Sequence, residues 1–489
     1  MNNNSNATTY HCMFYTVIQR LLLVLILFLP VGCLTIPQSS QKTLDATCIV
    51  GMDPNTGGRL SLFLNLRQPD VPHIWTQISA IEVLNGDNWL TITSGPLEID
   101  TAKLGKEQIF IGRKIMPTGD YIQIRITTTK AAFIEEGKKI PITVTKPFTE
   151  IVLPAPLNMA QGNSHSFFLD WDVNASIKDN RMDKMVVAVT SSQTLPIITN
   201  LAYIACPEID TIYIVRTDKN MVYGSLGVSG SPTYLATNLA THRLYILAAD
   251  ESAVKVIDLS TNLLLDIIKI PTLIDPVHMA LNKDTSRAYI LDGRKNLLIN
   301  LDLQTGNITN QLKIGQHPQY VLYMQEQGLL AVSSAMDQSV YLVDPNNLKI
   351  IESFPVSSPP LGLMVWDDLL YITEPEVNTV AIYELTGRKI IKRFNVGFSP
   401  RRLIATSNSI YITNFLDGTA SLLIPGQFTA SKEIKIGRRP LEMAITENHQ
   451  WLYIGDENSK GLSVVDITSN RMNSTIELGA KPVGISVIN

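Results

Sequence analysis

The stretch PTYLATNLATHRLYILAADESAVKVID, residues 232–258, decides the fold of this chain. It holds a proline-led apolar strand, then the strand LYIL, then a strand that ends in VID, with polar turns between them. Similar blocks follow at intervals of 40 to 44 residues, and each begins at a proline: Pro232, Pro276, Pro318, Pro360, Pro400, Pro440 and Pro482. A fixed period of this length indicates a repeat architecture. With a fourth strand after the next turn, each block predicts one four-stranded antiparallel blade.

The two ends of the repeat array predict the number of blades. The last block, KPVGISVIN (481–489), has room for a first strand only, whereas residues 201–229 supply three strands without a proline-led one. Joined, they make a seventh blade, in which the C-terminal strand becomes the inner strand of the first blade. We therefore expect a seven-bladed β-propeller over residues 201–489, closed by that strand so that no sheet edge is left open.

The repeat pattern resembles that of the YVTN family of β-propellers. The family's blades run P-x-x-L-A, L-Y-V-x-N and T-V-S-V-I-D, and the best matches here are Pro232 to Ala236, Leu244 to Ile246 and Val256 to Asp258. The asparagine of the second motif is present only as Asn414. The resemblance implies an extracytoplasmic propeller, and it implies an architecture more firmly than an activity.

The amino terminus predicts export. Residues 21–29 (LLLVLILFL) follow Arg20 and are too few to cross a bilayer, so residues 1–32 are predicted to be a signal peptide. The following Gly32-Cys33 resembles a bacterial lipobox, which implies that Cys33 becomes a lipid-carrying residue, with 33–44 as anchor and linker. A plain cleaved signal and an uncleaved anchor are the alternatives. By the same resemblance, Leu34 after the cysteine implies the outer membrane, if the organism has two membranes.

A second domain is expected between the anchor and the propeller. Alternation of apolar and polar residues in RLSLFLNL (59–66), YIQIRITTT (121–129) and SFFLDWDV (166–173) predicts antiparallel strands with one wet face. We expect an immunoglobulin- or prealbumin-like β-sandwich over 45–190 and a linker over 191–200, so that the whole chain is all-β. The G-x-L-x-L-x-L opening at Gly58, together with FFLDWDVNASI (167–177), resembles a bacterial lipoprotein sandwich domain of unassigned function.

Composition argues against several classes of protein. The chain has 40 Lys and Arg against 44 Asp and Glu and no basic cluster, so nucleic acid is not an expected partner. The cysteines (12, 33, 48 and 206) form no C-x-x-C, and the seven histidines show no ligand spacing, so no cofactor and no metal site is predicted. Cys48 and Cys206 either pair or stay as two buried thiols, and we prefer the second. Four aspartates recur at the end of the third strand and are expected to bond turn backbone rather than calcium: Asp258, Asp302, Asp344 and Asp466.

The candidate site lies two residues past each repeat proline. Those positions are chemically mixed on a uniform framework, and we expect them at the mouth of the central channel: Tyr234, His278, Tyr320, Gly362, Arg402, Glu442 and Gly484. With its neighbour Arg401, Arg402 offers positive charge for an anionic or zwitterionic group, while Tyr234 and Tyr320 offer rings for a sugar or a peptide. The competing interpretation is that these are solvated loop residues.

Two functions are compatible with this sequence. The first is a lipid-anchored binding or scaffold protein outside the cytoplasm, held to the membrane by its N-terminal lipid, with propeller loops that contact a protein or a glycan of the cell envelope. The alternative is a propeller enzyme, a lactonase-like hydrolase or a metal-dependent lyase, with its site at the channel mouth. We prefer the first, because no catalytic constellation can be named from the sequence.

Overall fold

The computed structural model describes residues 57–105, 107–191 and 200–488, and they form an all-β protein. The predicted signal peptide, Cys33 with its linker, and Cys48 lie outside the described residues. Cys206 is a buried free thiol, and burial raises its pKa. Within the described ranges, none of the helices is long and apolar enough to span a membrane.

The N-terminal domain contains eleven strands and two single-turn helices. Strands β1 to β11 are Gly58–Leu66, Ile74–Asn85, Asn88–Asp100, Ile109–Met116, Gly119–Glu135, Lys138–Val144, Phe148–Met159, Ser164–Trp171, Ile177–Lys178, Arg181–Met182 and Val187–Ser191. Helices α1 and α2 are Thr101–Leu104 and Val173–Ser176.

These strands form two sheets around one apolar core. The four-stranded sheet has the order β11-β8-β1-β4, and the seven-stranded sheet has the order β3-β2-β5-β6-β10-β9 with β7 on β5. Leu60, Leu62 and Leu64 alternate along β1 and pack in the same core as Ile124 and Ile126 of β5. The sheets are mixed rather than wholly antiparallel, because β1 pairs parallel with β8 and β6 pairs parallel with β10. A parallel pair requires a long crossover, and the chain from β2 to β7 provides it between β1 and β8; all of these strands except β4 belong to the other sheet.

The remaining strands form seven four-stranded antiparallel sheets, the arrangement of a seven-bladed β-propeller. Blade 1 consists of β12 (Leu201–Cys206), β13 (Thr211–Arg216), β14 (Met221–Gly227) and β39 (Gly484–Val487). Pro207–Ile209 forms one 3-10 turn between β12 and β13.

Blades 2 to 7 follow the chain order β15 to β38. Blade 2 is Pro232–Asn238, Arg243–Ala248, Ala253–Asp258 and Leu264–Lys269, and blade 3 is Pro276–Leu281, Arg287–Asp292, Leu297–Asp302 and Ile308–Lys313. Blade 4 is Pro318–Met324, Leu329–Ser334, Ser339–Val343 and Ile350–Pro355, and blade 5 is Leu363–Trp366, Leu369–Glu374, Thr379–Glu384 and Lys389–Asn395. Blade 6 is Pro400–Ala405, Ile410–Asn414, Thr419–Leu423 and Lys432–Lys435, and blade 7 is Pro440–Ile445, Trp451–Asp456, Gly461–Asp466 and Arg471–Glu477.

The C-terminal strand belongs to the first blade. In the antiparallel pair of β39 with β12, Val487 lies opposite Ala202 and Gly484 lies opposite Ala205. Blade 1 thus takes its inner strand from the far end of the chain, as the repeat count predicts. That this pair closes a ring remains a prediction.

The recurring aspartates have the structural role expected of them. Asp258 accepts hydrogen bonds from the backbone N–H groups of Ser260 and Thr261, both at 2.9 Å, in the turn after the third strand. Asp302, Asp344 and Asp466 accept equivalent turn bonds in blades 3, 4 and 7. The expectation of turn bonding is confirmed.

The sandwich packs directly against blades 1 and 7. Phe63 and Phe168, on the outer face of the four-stranded sheet, share an apolar cluster with Tyr213 of β13. The Ser61 hydroxyl lies 2.9 Å from the Tyr213 hydroxyl, and Gln108 exchanges two hydrogen bonds with the backbone of Val222. The expectation of one wet face is therefore wrong for this sheet, because the propeller covers the face that alternation assigns to water.

A glycine marks how closely the two domains approach. Gly479, between β38 and β39, has a φ of +63°, and a Cβ there would lie 2.2 Å from the ring of Phe110 in β4. The guanidinium of Arg113, also in β4, donates a hydrogen bond to the Gly479 carbonyl at 3.1 Å. Any side chain at position 479 would push the sandwich away from blade 7.

Candidate functional site

A β-bulge at the start of the inner strand places the candidate residues. In blade 2, Pro232 pairs with Ala248, whereas Tyr234 pairs with Leu247, so two steps on β15 match one step on β16. The inner strands of blades 3, 4, 6 and 7 carry a similar irregularity after their prolines. A bulge bends a strand and re-aims the side chain beside it. In these five blades the residue two past the proline is therefore part of the inner strand, not of a free loop.

Five of the predicted site residues contact one another on the inner strands of blades 2, 3, 4, 6 and 7. Tyr234, His278, Tyr320, Arg402 and Glu442 are called the channel cluster below. The His278 ring centroid lies 4.7 Å from that of Tyr234 and 3.9 Å from that of Tyr320. The Arg402 guanidinium lies 4.8 Å from the Tyr320 ring centroid, and its Nε donates to Glu442 Oε2 at 2.9 Å. One continuous chain of contacts thus crosses from blade 2 to blade 7.

The buried histidine of the channel cluster is held neutral. His278 is only 4 % exposed, and its burial, with the nearby charge of Arg402, lowers its pKa well below the usual range. Its Nδ1 accepts a long bond, 3.4 Å, from the backbone N–H of Val321, which puts the proton on Nε2. His278 Nε2 and Arg402 Nη1 are both buried without a hydrogen-bond partner. The cluster therefore presents two unpaired donors.

The two tyrosines and the Arg402–Glu442 ion pair of the channel cluster keep their usual protonation states in this buried setting. Burial raises the pKa of Tyr234 and of Tyr320, so both hydroxyls stay protonated. The pKa of Arg402 is raised in spite of burial, because the charge of Glu442 stabilises the guanidinium. His278 and Arg402 lie against Tyr320, so stacking of a sugar or peptide on that ring would have to displace one of them.

The two glycines of the predicted set allow the inner strands to approach. A Cβ on Gly362 would lie 2.2 Å from the carbonyl oxygen of Arg401, and one on Gly484 would lie 2.5 Å from that of Thr233. Both contacts are with backbone of the neighbouring blade, which cannot move aside cheaply. These two positions contribute close packing rather than side-chain chemistry.

Arg401 is separate from the channel cluster. Its guanidinium lies 4.1 Å from the Phe415 ring centroid, and its Nε is buried without a partner. It lines a cavity of about 530 Å³, together with Pro359, Pro360 and Leu416. The adjacent arginines, which the sequence analysis treated as one cationic pair, therefore serve two different places.

Exposed apolar side chains lie at and beside this cavity, and the sequence alone did not predict them. They lie in the turns after the second strands of blades 4 to 6 and in the loop before Pro400; we call them the loop-face patch. The patch consists of Met336, Val377, Phe398 and Leu416, whose side chains are 70 %, 44 %, 59 % and 67 % exposed, respectively. The sequence did contain a signal for this patch. The equivalent turns of blades 2, 3 and 7 read ADES, GRKN and ENSK and have no large apolar residue, unlike those of blades 4 to 6.

In the part of the chain that the structure describes, no three His, Cys, Asp or Glu side chains are grouped so as to hold a metal ion.

The fold defines the class of this protein: an all-β chain with an N-terminal β-sandwich and seven four-stranded sheets in the arrangement of a β-propeller. Residues 58–188 match the family model described as a domain of unknown function, DUF4382. This agrees with the resemblance of the sandwich to a domain of unassigned function. The resemblance of the blades to the YVTN family stays a prediction.

Many solved structures, including the following two, are similar to part of the chain, and no curated protein matches it. A functionally unknown protein from Desulfotomaculum acetoxidans DSM 771 aligns with a TM-score of 0.52 at 13 % identity, over 59 % of this chain and 98 % of that one. A "putative 6-phosphogluconolactonase" from Bacteroides fragilis NCTC 9343 aligns with a TM-score of 0.51 at 14 % identity, over 59 % of this chain and 97 % of that one. At such identities the likeness shows the fold alone.

Proposed function

We propose that this protein is an extracytoplasmic binding module, attached to the cell envelope by a lipid on Cys33, whose propeller docks a protein partner on the loop-face patch. One observation carries the proposal: four large apolar side chains are exposed on loops of three consecutive blades, and two of them line one cavity while the other two adjoin lining residues in sequence. Single exposed apolar residues are ordinary, but a contiguous group of them marks an interaction surface.

The chemistry of the patch favours a protein over a glycan. Its cavity is lined by Pro359, Pro360, Leu361 and Pro375, rigid apolar groups that suit an apolar anchor of a protein partner. Arg401 also lines the cavity, and its buried Nε has no hydrogen-bond partner. A backbone carbonyl or carboxylate of the partner would satisfy that donor.

The rim of the patch adds a cationic element. Arg401 and Arg439 both lie over the Phe415 ring, at 4.1 Å and 5.5 Å from its centroid. Arginine held flat against an aromatic ring is pre-organised, so it loses little side-chain entropy on binding. The partner's contact surface is therefore expected to combine an apolar anchor with an acidic or carbonyl-rich edge.

Photo-crosslinking in the native cells tests this proposal. A photoreactive residue replaces Phe398, in the patch, or Ile351, which is 47 % exposed on the outer strand of blade 4 and serves as the matched control. We expect one discrete protein adduct from position 398 that position 351 does not give. A second change, Leu416→Asp, should abolish it while the protein is exported and folded.

Two results would contradict the proposal. Identical adducts from positions 398 and 351 would show nonspecific contact, and persistence of the adduct in Leu416→Asp would place the contact elsewhere. The anchor is tested separately by Cys33→Ser, which should move the protein from the membrane fraction to the soluble fraction and remove the lipid mass from its N-terminal peptide.

A further inference from the structure

A second cavity, of about 420 Å³, lies where the sandwich meets blade 1. The sandwich contributes Asn65, Asp170 and Thr190 to its wall, and the propeller contributes Tyr223 and Lys219. Clefts between domains are preferred places for small-molecule sites. This cavity is independent of the loop-face patch and of the channel cluster.

The strand register places the polar side chains of the cavity wall next to one another. Asn65 lies opposite Asp170 in the parallel pair of β1 and β8, and Thr190 lies opposite Phe168 in the pair of β8 and β11. Residues 168 and 170 share a face of β8, so Thr190 is a diagonal neighbour of Asp170, within about 7–8 Å. The three polar side chains therefore occupy one patch of the outer face, beyond the point where Phe168 meets the propeller.

Asn65 has an unpaired acceptor whose orientation is fixed. Its Nδ2 donates to Asp170 Oδ1 at 2.8 Å. An ionised carboxylate can only accept, so the amide cannot be turned round, and Oδ1 must point the other way. Asn65 Oδ1 and Thr190 Oγ1 are both buried without a hydrogen-bond partner. Buried polar atoms are normally paired, so two such atoms in one cavity indicate a missing donor group.

The cavity lining carries two carboxylates and two cations. Asp170 supplies a carboxylate beside the unpaired acceptor, and Glu107 supplies a second one on the lining. Arg216 also lines the cavity, but its guanidinium is engaged by Asp218 in two bonds of 3.0 Å and 2.6 Å. Lys219, an exposed residue, is the remaining cation on the lining.

The rest of the lining is apolar and aromatic. Phe168 and Tyr223 supply rings, and Leu66, Pro69 and Met221 supply aliphatic surface. A ring face attracts a positive charge and also accepts hydrocarbon. The cavity therefore combines acceptors on one side with an apolar wall on the other.

We propose that the interdomain cavity binds a small molecule that carries a primary ammonium group on an apolar body. The ammonium has three donors and one positive charge, which match the Asn65 amide oxygen, the Thr190 hydroxyl and the Asp170 carboxylate. The apolar body lies against Phe168 and Tyr223.

Isothermal titration of the full-length protein with a matched set of probes tests this site. The probes are 2-phenylethylamine, its N-acetyl derivative and 2-phenylethanol, which share the apolar body but differ in charge and in donors. We expect the amine to bind at least about tenfold more tightly than the alcohol or the amide, a ratio that corresponds to about 1.4 kcal/mol.

Variants connect the binding to the named residues. Asp170→Asn keeps an acceptor for Asn65 Nδ2 but removes the charge, and it should weaken amine binding by about tenfold or more. Thr190→Val keeps the shape and removes the hydroxyl, and it should weaken binding severalfold. Asp183→Asn, at an exposed carboxylate of the sandwich that does not line the cavity, is the control and should bind as the wild type does.

Several outcomes would overturn the proposal. Equal binding of amine and alcohol would show that no ammonium site exists, and so would unchanged binding in both Asp170→Asn and Thr190→Val. Absence of binding by all three probes to folded protein would mean that the cavity holds only water. Melting temperatures of each variant separate a lost site from a lost fold, and Thr190→Val remains informative if Asp170→Asn does not fold.

Discussion

The outer face of the sandwich sheet and the loop-face patch of the propeller carry similar apolar side chains, but the first set is buried and the second is exposed. Phe63 and Phe168 project from the sheet of the sandwich and are buried by blade 1. Phe398 and Leu416 project from loops of blade 6 and are exposed by more than half. Aromatic and aliphatic groups do not differ in their tendency to leave water; only the neighbouring chain differs.

This contrast separates stability from recognition. Apolar surface covered within the chain contributes to folding, whereas surface left exposed can contribute only when something else covers it. Substitutions of apolar residues on the covered face should therefore change the free energy of unfolding, and substitutions of the four residues of the loop-face patch should not. The following predictions are ordered from the largest expected effect to the smallest.

Removal of residues 480–489 should have the largest effect. It deletes β39, which hydrogen-bonds to β12, and the buried side chains of Ile485 and Val487. Several buried side chains are lost at about 2–5 kcal/mol each, and β12 is left as an open edge. We expect loss of cooperative unfolding and of protease resistance, measured by chemical denaturation and limited proteolysis. A truncated chain as resistant as the full one would refute ring closure by this strand.

Phe63→Ala should destabilise the covered face by about 3–5 kcal/mol, because it empties a site enclosed by aromatic rings. The Phe63 ring centroid lies 5.6 Å from that of Phe110, 5.7 Å from that of Phe168 and 5.9 Å from that of Tyr213. Urea denaturation measures the change. The matched control, Phe398→Ala on the loop face, should stay within about 0.5 kcal/mol of the wild type. Equal losses in the two variants would remove the distinction between the faces.

Glu442→Gln should cost about 1.5–3 kcal/mol, since it weakens a charged hydrogen bond of the channel cluster. Arg402 is four-fifths buried and would keep its charge without a counterion. The same denaturation assay applies, and the double variant Glu442→Gln with Arg402→Met should recover part of the loss. A single variant as stable as the wild type would show that water already serves the guanidinium.

Acid should weaken the ion-pair network around Glu251, in the turn after the second strand of blade 2. Glu251 accepts hydrogen bonds from Lys269, Lys255 and Ser229, and these lower its pKa from 4.5 to about 2. A lowered folded-state pKa gives stability that is complete above pH 4.5 and is lost as the pH falls toward 2. The loss should be on the order of 2 kcal/mol, reduced from the full linkage value by partial exposure.

The comparison is between wild type and Glu251→Gln across that pH range. The wild type should lose its advantage over the variant between pH 4.5 and 2. Stability curves that remain parallel throughout would contradict a stabilising role for the carboxylate.

Much of the candidate site followed from the repeat alone. Because each proline fixes the same point of the blade, the residue two positions on had to recur at equivalent places, and Tyr234, His278 and Glu442 do so. The repeat could not show that Arg401 faces away from Arg402, since adjacent residues of a strand point to opposite sides. Nor could it show that the channel cluster is packed rather than open, because that depends on side chains from different blades, of which Tyr234 and Glu442 are 208 positions apart.

The interdomain cavity was not accessible to sequence reasoning. Asn65, Thr190 and Tyr223 are far apart in the chain and form no local motif. The unpaired atoms of Asn65 and Thr190 come to lie on one cavity wall only when β1, β8 and β11 are in register beside blade 1.

The sequence by itself determined the seven blades, the origin of the last strand, the turn role of the aspartates and the strands of the sandwich. Each of these depends on periodicity, and periodicity is a local property of the chain. Only the tertiary structure decided which sheet faces are covered, because alternation of period two shows which residues share a face but not what lies against it. For that reason RLSLFLNL, with Ser61 and Phe63 on its second face, predicts a wet surface and in fact forms the joint between the two domains.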